Sequence, residues 1–237
     1  MNKKVAARSN RGKYPGGKNG EGVYQRIINI IPPHDTLIEA CAGSAAITRM
    51  IKPAKYNIVI EAEPMQAAIL HKELRSGVGI FNDSFYRIIK QKSPNSEKRV
   101  IFFDPPYIKE VRSCSQNMYR VEWDYEDHTI FLEWLQKLEG KAIITHPRNL
   151  LYENRLQGWN TIDYQYQSHG GIRNDCIWYN YPTPEVLHDY SNIGDNRTKR
   201  QVIQRRMQRY INKLDAMSQI ERNALIEAIK KRYNRPE

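Results

Sequence analysis

Val100-Ile101-Phe102-Phe103-Asp104-Pro105-Pro106-Tyr107 is the stretch on which the reading of this chain turns. Its first four residues are β-branched or aromatic, a run suited to a strand buried on both faces. Asp104 and the prolines then stop it. Proline fixes its own φ, lacks an N–H and restricts the residue before it, so the strand ends and a rigid loop begins. In open α/β sheets, ligands gather at the carboxyl ends of strands. An acid and a proline-set carbonyl at that point form a pair of acceptors matched to an –NH2 group, and Tyr107 adds a flat ring. An ordinary strand-ending turn has the same composition, so the surrounding chain decides between the two readings.

Outward from this stretch, strand and helix patterns alternate. Thr36–Glu39, Tyr56–Ile60, Gly79–Phe81, Arg99–Phe103 and Lys141–Thr145 read as strands. Ala45–Ile51, Met65–Arg75 and 126–138 read as helices, the last from Ile130, Phe131, Trp134, Leu135 and Leu138 at helical spacing. Trp159–Gln167 and Asp175–Tyr181, around Ser168-His169-Gly170-Gly171, read as an antiparallel hairpin that closes the sheet. This order predicts an α/β fold, a mostly parallel sheet with helices on both faces. After Pro184 come two basic helices, 196–214 and 218–233, the second opened by a Ser218/Glu221 capping box. The expected division is a domain over 1–184, led by a basic segment 1–12, and a helical extension over 185–237.

The 237 residues carry a net charge of +11, unevenly spread. Residues 1–18 hold six Lys/Arg and no acid, and residues 195–237 hold twelve Lys/Arg against five acids. A nearly neutral middle between two basic ends suits a phosphate-bearing polymer. No apolar run approaches the roughly 18 residues of a membrane span, and the N-terminus lacks the apolar segment of a secretory signal. Cys41, Cys114 and Cys176 have neither zinc-ligand nor redox spacing, which fits a reducing cytoplasm and buried packing roles.

Gly12-Lys13-Tyr14-Pro15-Gly16-Gly17-Lys18-Asn19 matches the spacing of a phosphate-cradling loop. Asn19 stands where Ser or Thr would reach magnesium, and no apolar strand precedes it, so that reading is rejected. What is left is a loop whose glycines admit close approach, with Lys18 free to pair with a carboxylate and Tyr14 to cover an apolar group. The turn Glu39-Ala40-Cys41-Ala42-Gly43-Ser44 ends the first strand, where a doubly wound domain binds its cofactor. Glu61, about twenty residues on, stands where an acid accepts ribose hydroxyls, and Asp83 follows the third strand in the equivalent place.

These residues in this order resemble the deoxyadenosine-methylase (Dam-like) type of DNA N6-adenine methyltransferase, in the short form found in phages and mobile elements. The resemblance runs from about Lys13 to the C-terminus. It includes Tyr14-Pro15-Gly16-Gly17-Lys18, Pro32-Pro33-His34-Asp35, Asp104-Pro105-Pro106-Tyr107 and Trp178-Tyr179-Asn180-Tyr181-Pro182. It implies a Rossmann-like class I methyltransferase fold, S-adenosylmethionine as cofactor and DNA as partner, with no metal and a cognate restriction enzyme as an optional partner. By position, Tyr14 and Lys18 would contact the methionine end of the cofactor. Cys41, Gly43 and Ser44 would line its path, Glu61 would hold the ribose, and Asp83 would sit by the adenine. Asp104 would border both ligands. With the Pro105 carbonyl it would receive the target amino group, while Tyr107 stacks on the base.

Two departures stand out. The family has more glycine after the acid of strand one, where this chain has Ala40-Cys41 and Ser44-Ala45. Only about twenty residues separate Asp83 from Asp104, so the large recognition region of longer relatives is absent and Ile108–His128 and the basic helices inherit its task. The acceptor pair also suits cytosine N4 or an adenine in RNA, and a silent nucleic-acid-binding protein would keep the same fold. His128, expected in the first turn of its helix, and His146, at a strand end, receive no role.

Overall fold

The computed structural model describes residues 16–92, 97–112, 119–168 and 171–233. Segment 1–12, Tyr14, Cys114 and the His169-Gly170 turn lie outside them. β4 (Arg99–Phe103) is buried along its whole length and pairs in parallel with β1 (Thr36–Ala40) and β5 (Lys141–His146). β2 (Tyr56–Ile60) and β3 (Val78–Phe81) extend the parallel sheet beyond β1. β6 (Asn160–Ser168) and β7 (Gly171–Tyr179) form the hairpin, and the full order is β3-β2-β1-β4-β5-β7-β6. β7 runs antiparallel to both neighbours. It sits between β5 and β6, so the antiparallel strand is interior and β6 takes the edge. This is the Rossmann-like sheet expected from the sequence.

The period-two alternation of strands divides the core between the two faces. Leu37, Val100, Phe102 and Ile143 face α1 (Val23–Ile28) and α2 (Ala46–Met50), which contribute Val23, Ile27, Ile28 and Ile47. Ile38, Ile101, Phe103 and Ile144 face α4 (Phe85–Lys92, with α3 spanning Pro64–Glu73), α5 (Tyr125–Leu135) and α6 (Leu150–Arg155). Those helices add Phe85, Ile88, Phe131, Leu132 and Tyr152. α1, α4 and α6 have no counterpart in the sequence reading. They have six, eight and six residues, too few turns to establish a helical period. β7 starts at Gly171 rather than Asp175 because its first residues alternate in exposure and are held by pairing with β6.

The chain leaves β1 toward β2 and β3 and then returns to β4 on the other side. The order reverses between β1 and β4, and a crevice opens at their carboxyl ends. Register pairs Ala40 with Phe103, which sets Cys41 beside Asp104.

The chain divides into two compact units, Met1–Tyr190 and Ser191–Glu237. In the second, the Asn196 side chain caps α7 (Arg197–Asp215), and Ser218 and Glu221 cap α8 (Gln219–Tyr233) reciprocally. α8 buries none of its residues, and α7 buries only Arg200. Among the described residues, no helix is long and apolar enough to cross a membrane.

Candidate functional site

The turn after β4 is held from below by a buried ion-pair network. Lys18 is 3% exposed, and its ammonium donates to Asp104 Oδ1 at 2.6 Å, Tyr107 Oη at 2.8 Å and the Gly16 carbonyl at 3.1 Å. Those three bonds use all its donors. The Thr145 hydroxyl, near the end of β5, donates to the same Asp104 oxygen at 2.8 Å. The Tyr107 hydroxyl in turn donates to Asp175 Oδ2, which also accepts from the Tyr164 hydroxyl at 3.0 Å and lies 4.0 Å from the Lys18 nitrogen. One cation thus stands between two carboxylates, the buried Asp175 and the part-buried Asp104. Burial pushes both carboxyls upward, against the pull of Lys18. Burial also works against charge on Lys18, but Asp104 and then Asp175 outweigh it and hold the ammonium protonated.

The loop beyond Tyr107 rests on His146, whose Nε2 accepts the Ile108 N–H at 3.1 Å. An accepting Nε2 leaves the proton on Nδ1, which donates to the Pro147 carbonyl at 2.8 Å. The ring stacks on Tyr152 at 4.0 Å, and burial holds it neutral, far below the usual histidine range. His128, in the first turn of α5, is buried beside it and bonds the Tyr152 hydroxyl at 2.9 Å. Both histidines build the support of the turn.

The turn after β1 is shaped by its backbone. Cys41, Gly43 and Ala45 have φ of 53°, 51° and 51°, so every second residue is left-handed. Two are not glycine, a strained arrangement for L-residues. Carboxylates answer the freed peptide groups. Glu61 accepts the Gly43 N–H at 2.7 Å on one oxygen and the Glu63 N–H at 2.9 Å on the other. Burial raises its pKa, and these bonds oppose the rise. Glu39 accepts the Ile47 and Thr48 N–H groups at 3.2 and 2.7 Å, so the acid of strand one serves the first turn of α2. The Asn19 amide donates to the Ser44 hydroxyl at 2.8 Å, tying the glycine loop to this turn as Lys18 ties it to the other.

Between the turns lies a cavity of about 370 Å³, bordered by Cys41, Glu61, Asp83 and Asp104 and walled by Phe85, Tyr86, Tyr119 and Trp123. Gly16 also borders it, at φ 75°; a Cβ there would stand 2.7 Å from the Tyr119 hydroxyl. Asp83 is held ionised by the Arg87 side chain and the Ser84 N–H. Four residues named from the sequence therefore share one cavity. Gly43 and Ser44 shape the turn behind it, Lys18 backs Asp104, and Pro105 is buried. Tyr107 turns its hydroxyl into the network, with its ring 5.1 Å from His146, and the rings bordering the cavity come from other segments. The sequence reading missed Thr145, Tyr119, Trp123 and Asp175. For Asp175 a signal existed, an acid opening the apolar run Cys176-Ile177-Trp178-Tyr179.

No protein-family model and no curated protein matches the sequence. Among solved structures, the chain is similar to a putative tRNA (m1A22) methyltransferase of Streptococcus pneumoniae at 12% identity and a TM-score of 0.44. That match covers 87% of this chain and 94% of the other. An rRNA methylase from Streptococcus thermophilus matches at 10% identity and 0.43, over 66% and 93% of the two chains. A putative methyltransferase from Streptococcus mutans, solved with SAH, matches at 12% and 0.41, over 65% and 94%. Likenesses at these scores bear on neither chemistry nor substrate.

Proposed function

We propose that this protein transfers a methyl group from S-adenosylmethionine to the N6 amino group of a flipped-out adenine in DNA. The observation that carries the reading is the Asp104 carboxylate. It stands at the end of β4, borders the cavity, and takes both hydrogen bonds that it makes to described residues, from Lys18 and Thr145, on Oδ1. Its Oδ2 is the oxygen left to accept from a ligand.

The cavity suits the proposed cofactor. Its volume lies within the range of small-molecule sites, about 300–1,000 Å³, its walls are aromatic, and the Glu61 carboxylate borders it. When bound, the cofactor supplies a methyl group on a positively charged sulfur. Glu61 is assigned the ribose, Asp83 the adenine end, and Cys41, Gly43 and Ser44 the path between. Tyr14 keeps its assignment at the methionine end, while Lys18, its three donors taken by Gly16, Asp104 and Tyr107, is assigned to that end through Asp104.

An exocyclic amino nitrogen is a weak nucleophile because its lone pair is delocalised into the ring. Asp104 and the Pro105 carbonyl, by accepting its two hydrogens, favour a pyramidal nitrogen with its lone pair free to attack. Positioning and fixed charge supply the catalysis. Extruding the base costs about a few kcal/mol. Stacking on an aromatic ring, worth roughly 1–3 kcal/mol per base, offsets much of that cost, and Tyr107, its hydroxyl fixed, is assigned this surface. The basic second unit is assigned phosphate contacts, which would make binding strongly salt-dependent.

The test supplies methyl-labelled S-adenosylmethionine with duplex DNA, single-stranded DNA and RNA, and maps the modified base. N6-methyladenine in DNA is expected, with transfer abolished in Asp104→Ala. Undiminished transfer by Asp104→Ala would overturn the mechanism. Label on cytosine N4 or on RNA alone would overturn the substrate, and cofactor binding without transfer would leave a silent binding protein.

A further inference from the structure

We infer that Asp175 is a positioning residue that sets the orientation and charge of Asp104 through Tyr107 and Lys18. The inference rests on the reading of Asp104 as acceptor of the amino hydrogens. A protonated lysine has no lone pair, so where Lys18 donates to the Tyr107 oxygen, the Tyr107 proton must point elsewhere. It points to Asp175, and Tyr164 donates to the same carboxylate oxygen from the neighbouring strand. The chain of donors therefore has one direction, from Lys18 to Tyr107 to Asp175. Asp175 is 3% exposed and is not among the residues that border the cavity, and a buried carboxylate is a costly way to hold a tyrosine unless its charge is used.

Its charge bears on Lys18. The ammonium lies 2.6 Å from Asp104 and 4.0 Å from Asp175, so the two carboxylates divide one cation. The groups around Asp104 are Lys18 from the glycine loop, Glu39 and Cys41 from β1 and its turn, and Tyr107 from its own turn. Tyr164, Tyr166 and Asp175 face it from the hairpin, and Tyr119 from the segment before α5, with the Arg112 guanidinium across the Tyr119 ring. Neutralising Asp175 leaves Lys18 to Asp104 alone, so Asp104 should release its proton at lower pH. A strut without electrostatic influence would leave that titration where it was.

Asp175→Asn keeps the shape and an oxygen acceptor for Tyr107 and Tyr164 while removing the charge. In the full-length free protein, a carbon-13 NMR titration of the Asp104 carboxyl is expected to move down by roughly one pH unit in this variant. In methyl transfer, kcat is expected to fall by about tenfold to a hundredfold, the range that displaced catalytic groups produce. Its acid limb should move to lower pH, with the KM for the cofactor little changed. An unmoved Asp104 titration in folded Asp175→Asn overturns the inference whatever the activity. Absence of transfer by the unaltered protein overturns the methyltransferase reading, while the titration still decides the role of Asp175. Should Asp175→Asn fail to fold, Tyr164→Phe removes one bond that favours the charged Asp175, and a smaller downward shift of Asp104 is expected. No shift there overturns the inference equally.

Discussion

The turns after β1 and β4 leave the sheet side by side, at the register of Ala40 and Phe103, yet opposite means hold them. At β4 the rigidity lies in side chains. Lys18, Thr145 and His146 bond the turn residues directly, and three of their four bonds involve a full charge. At β1 it lies in the backbone, which alternates into the left-handed region at Cys41, Gly43 and Ala45 while Glu61 and Glu39 receive peptide N–H groups. A reacting group needs a fixed side chain. A wall that a ligand must lie against needs backbone without bulk. The two turns therefore differ in how they should break.

The β4 turn should break hardest through Lys18. Lys18→Ala leaves the buried Asp175 and the part-buried Asp104 without their cation, and breaking a buried pair from one side destabilises by about 3–5 kcal/mol. Urea unfolding at neutral pH measures the loss. The deficit should shrink with falling pH. Without Lys18 both carboxyls are raised further, so the folded variant takes up protons before the unfolded chain does and gains stability as they bind. A deficit independent of pH would show that packing of the lysine stem, and not its charge, holds the turn.

The β1 turn should respond to shape. Ala45 is fully buried at φ 51°, ψ 50°, so Ala45→Val puts a β-branched residue where its backbone is disfavoured and its volume has no room. A loss of about 2 kcal/mol is expected, within the range for strained conformations. Ala45→Gly should lie within about 0.5 kcal/mol of the parent. Relief of the left-handed strain, roughly 1 kcal/mol, is offset by loss of a buried methyl group, about 0.8 kcal/mol. Thermal unfolding distinguishes the cases. A valine variant as stable as the parent would mean that the turn is not fixed at this conformation.

The same contrast explains what the sequence revealed. Asp104 was legible because a buried run, an acid and two prolines are contiguous, and contiguity is what a sequence displays. Glu61 was legible for a similar reason, as an acid directly after the second strand. Asp175 acts on Tyr107 across 68 residues, a contact created by the insertion of β7 next to β5. The left-handed Cys41 and Ala45 were illegible because glycine and asparagine are the residues that mark that conformation, and neither stands there. Glu39 was seen as part of a cofactor turn, whereas its bonds show a carboxylate serving a helix start. The helices α1, α4 and α6 escaped notice because burial against the sheet specifies them, more than any repeat within them.

The finest probe of the comparison is the sign of two pH dependences. His128, under the β4 turn, is held by burial at about 4, below its ordinary 6.5. As pH falls through that window the unfolded chain binds a proton that the folded chain refuses, so this histidine contributes stability that is lost on acidification. Glu39, at the β1 turn, is raised by burial to about 7 from 4.5. There the folded chain binds the proton first, so stability is gained as pH falls from 7 toward 4.5. Melting temperatures of His128→Gln and Glu39→Gln, each compared with the parent between pH 7.5 and 4.5, should give differences of opposite slope. The parent should lose ground to the His128 variant and gain on the Glu39 variant. Parallel slopes would mean that Glu39 keeps its charge on the strength of the Ile47 and Thr48 N–H groups, so that its hydrogen bonds outweigh its burial.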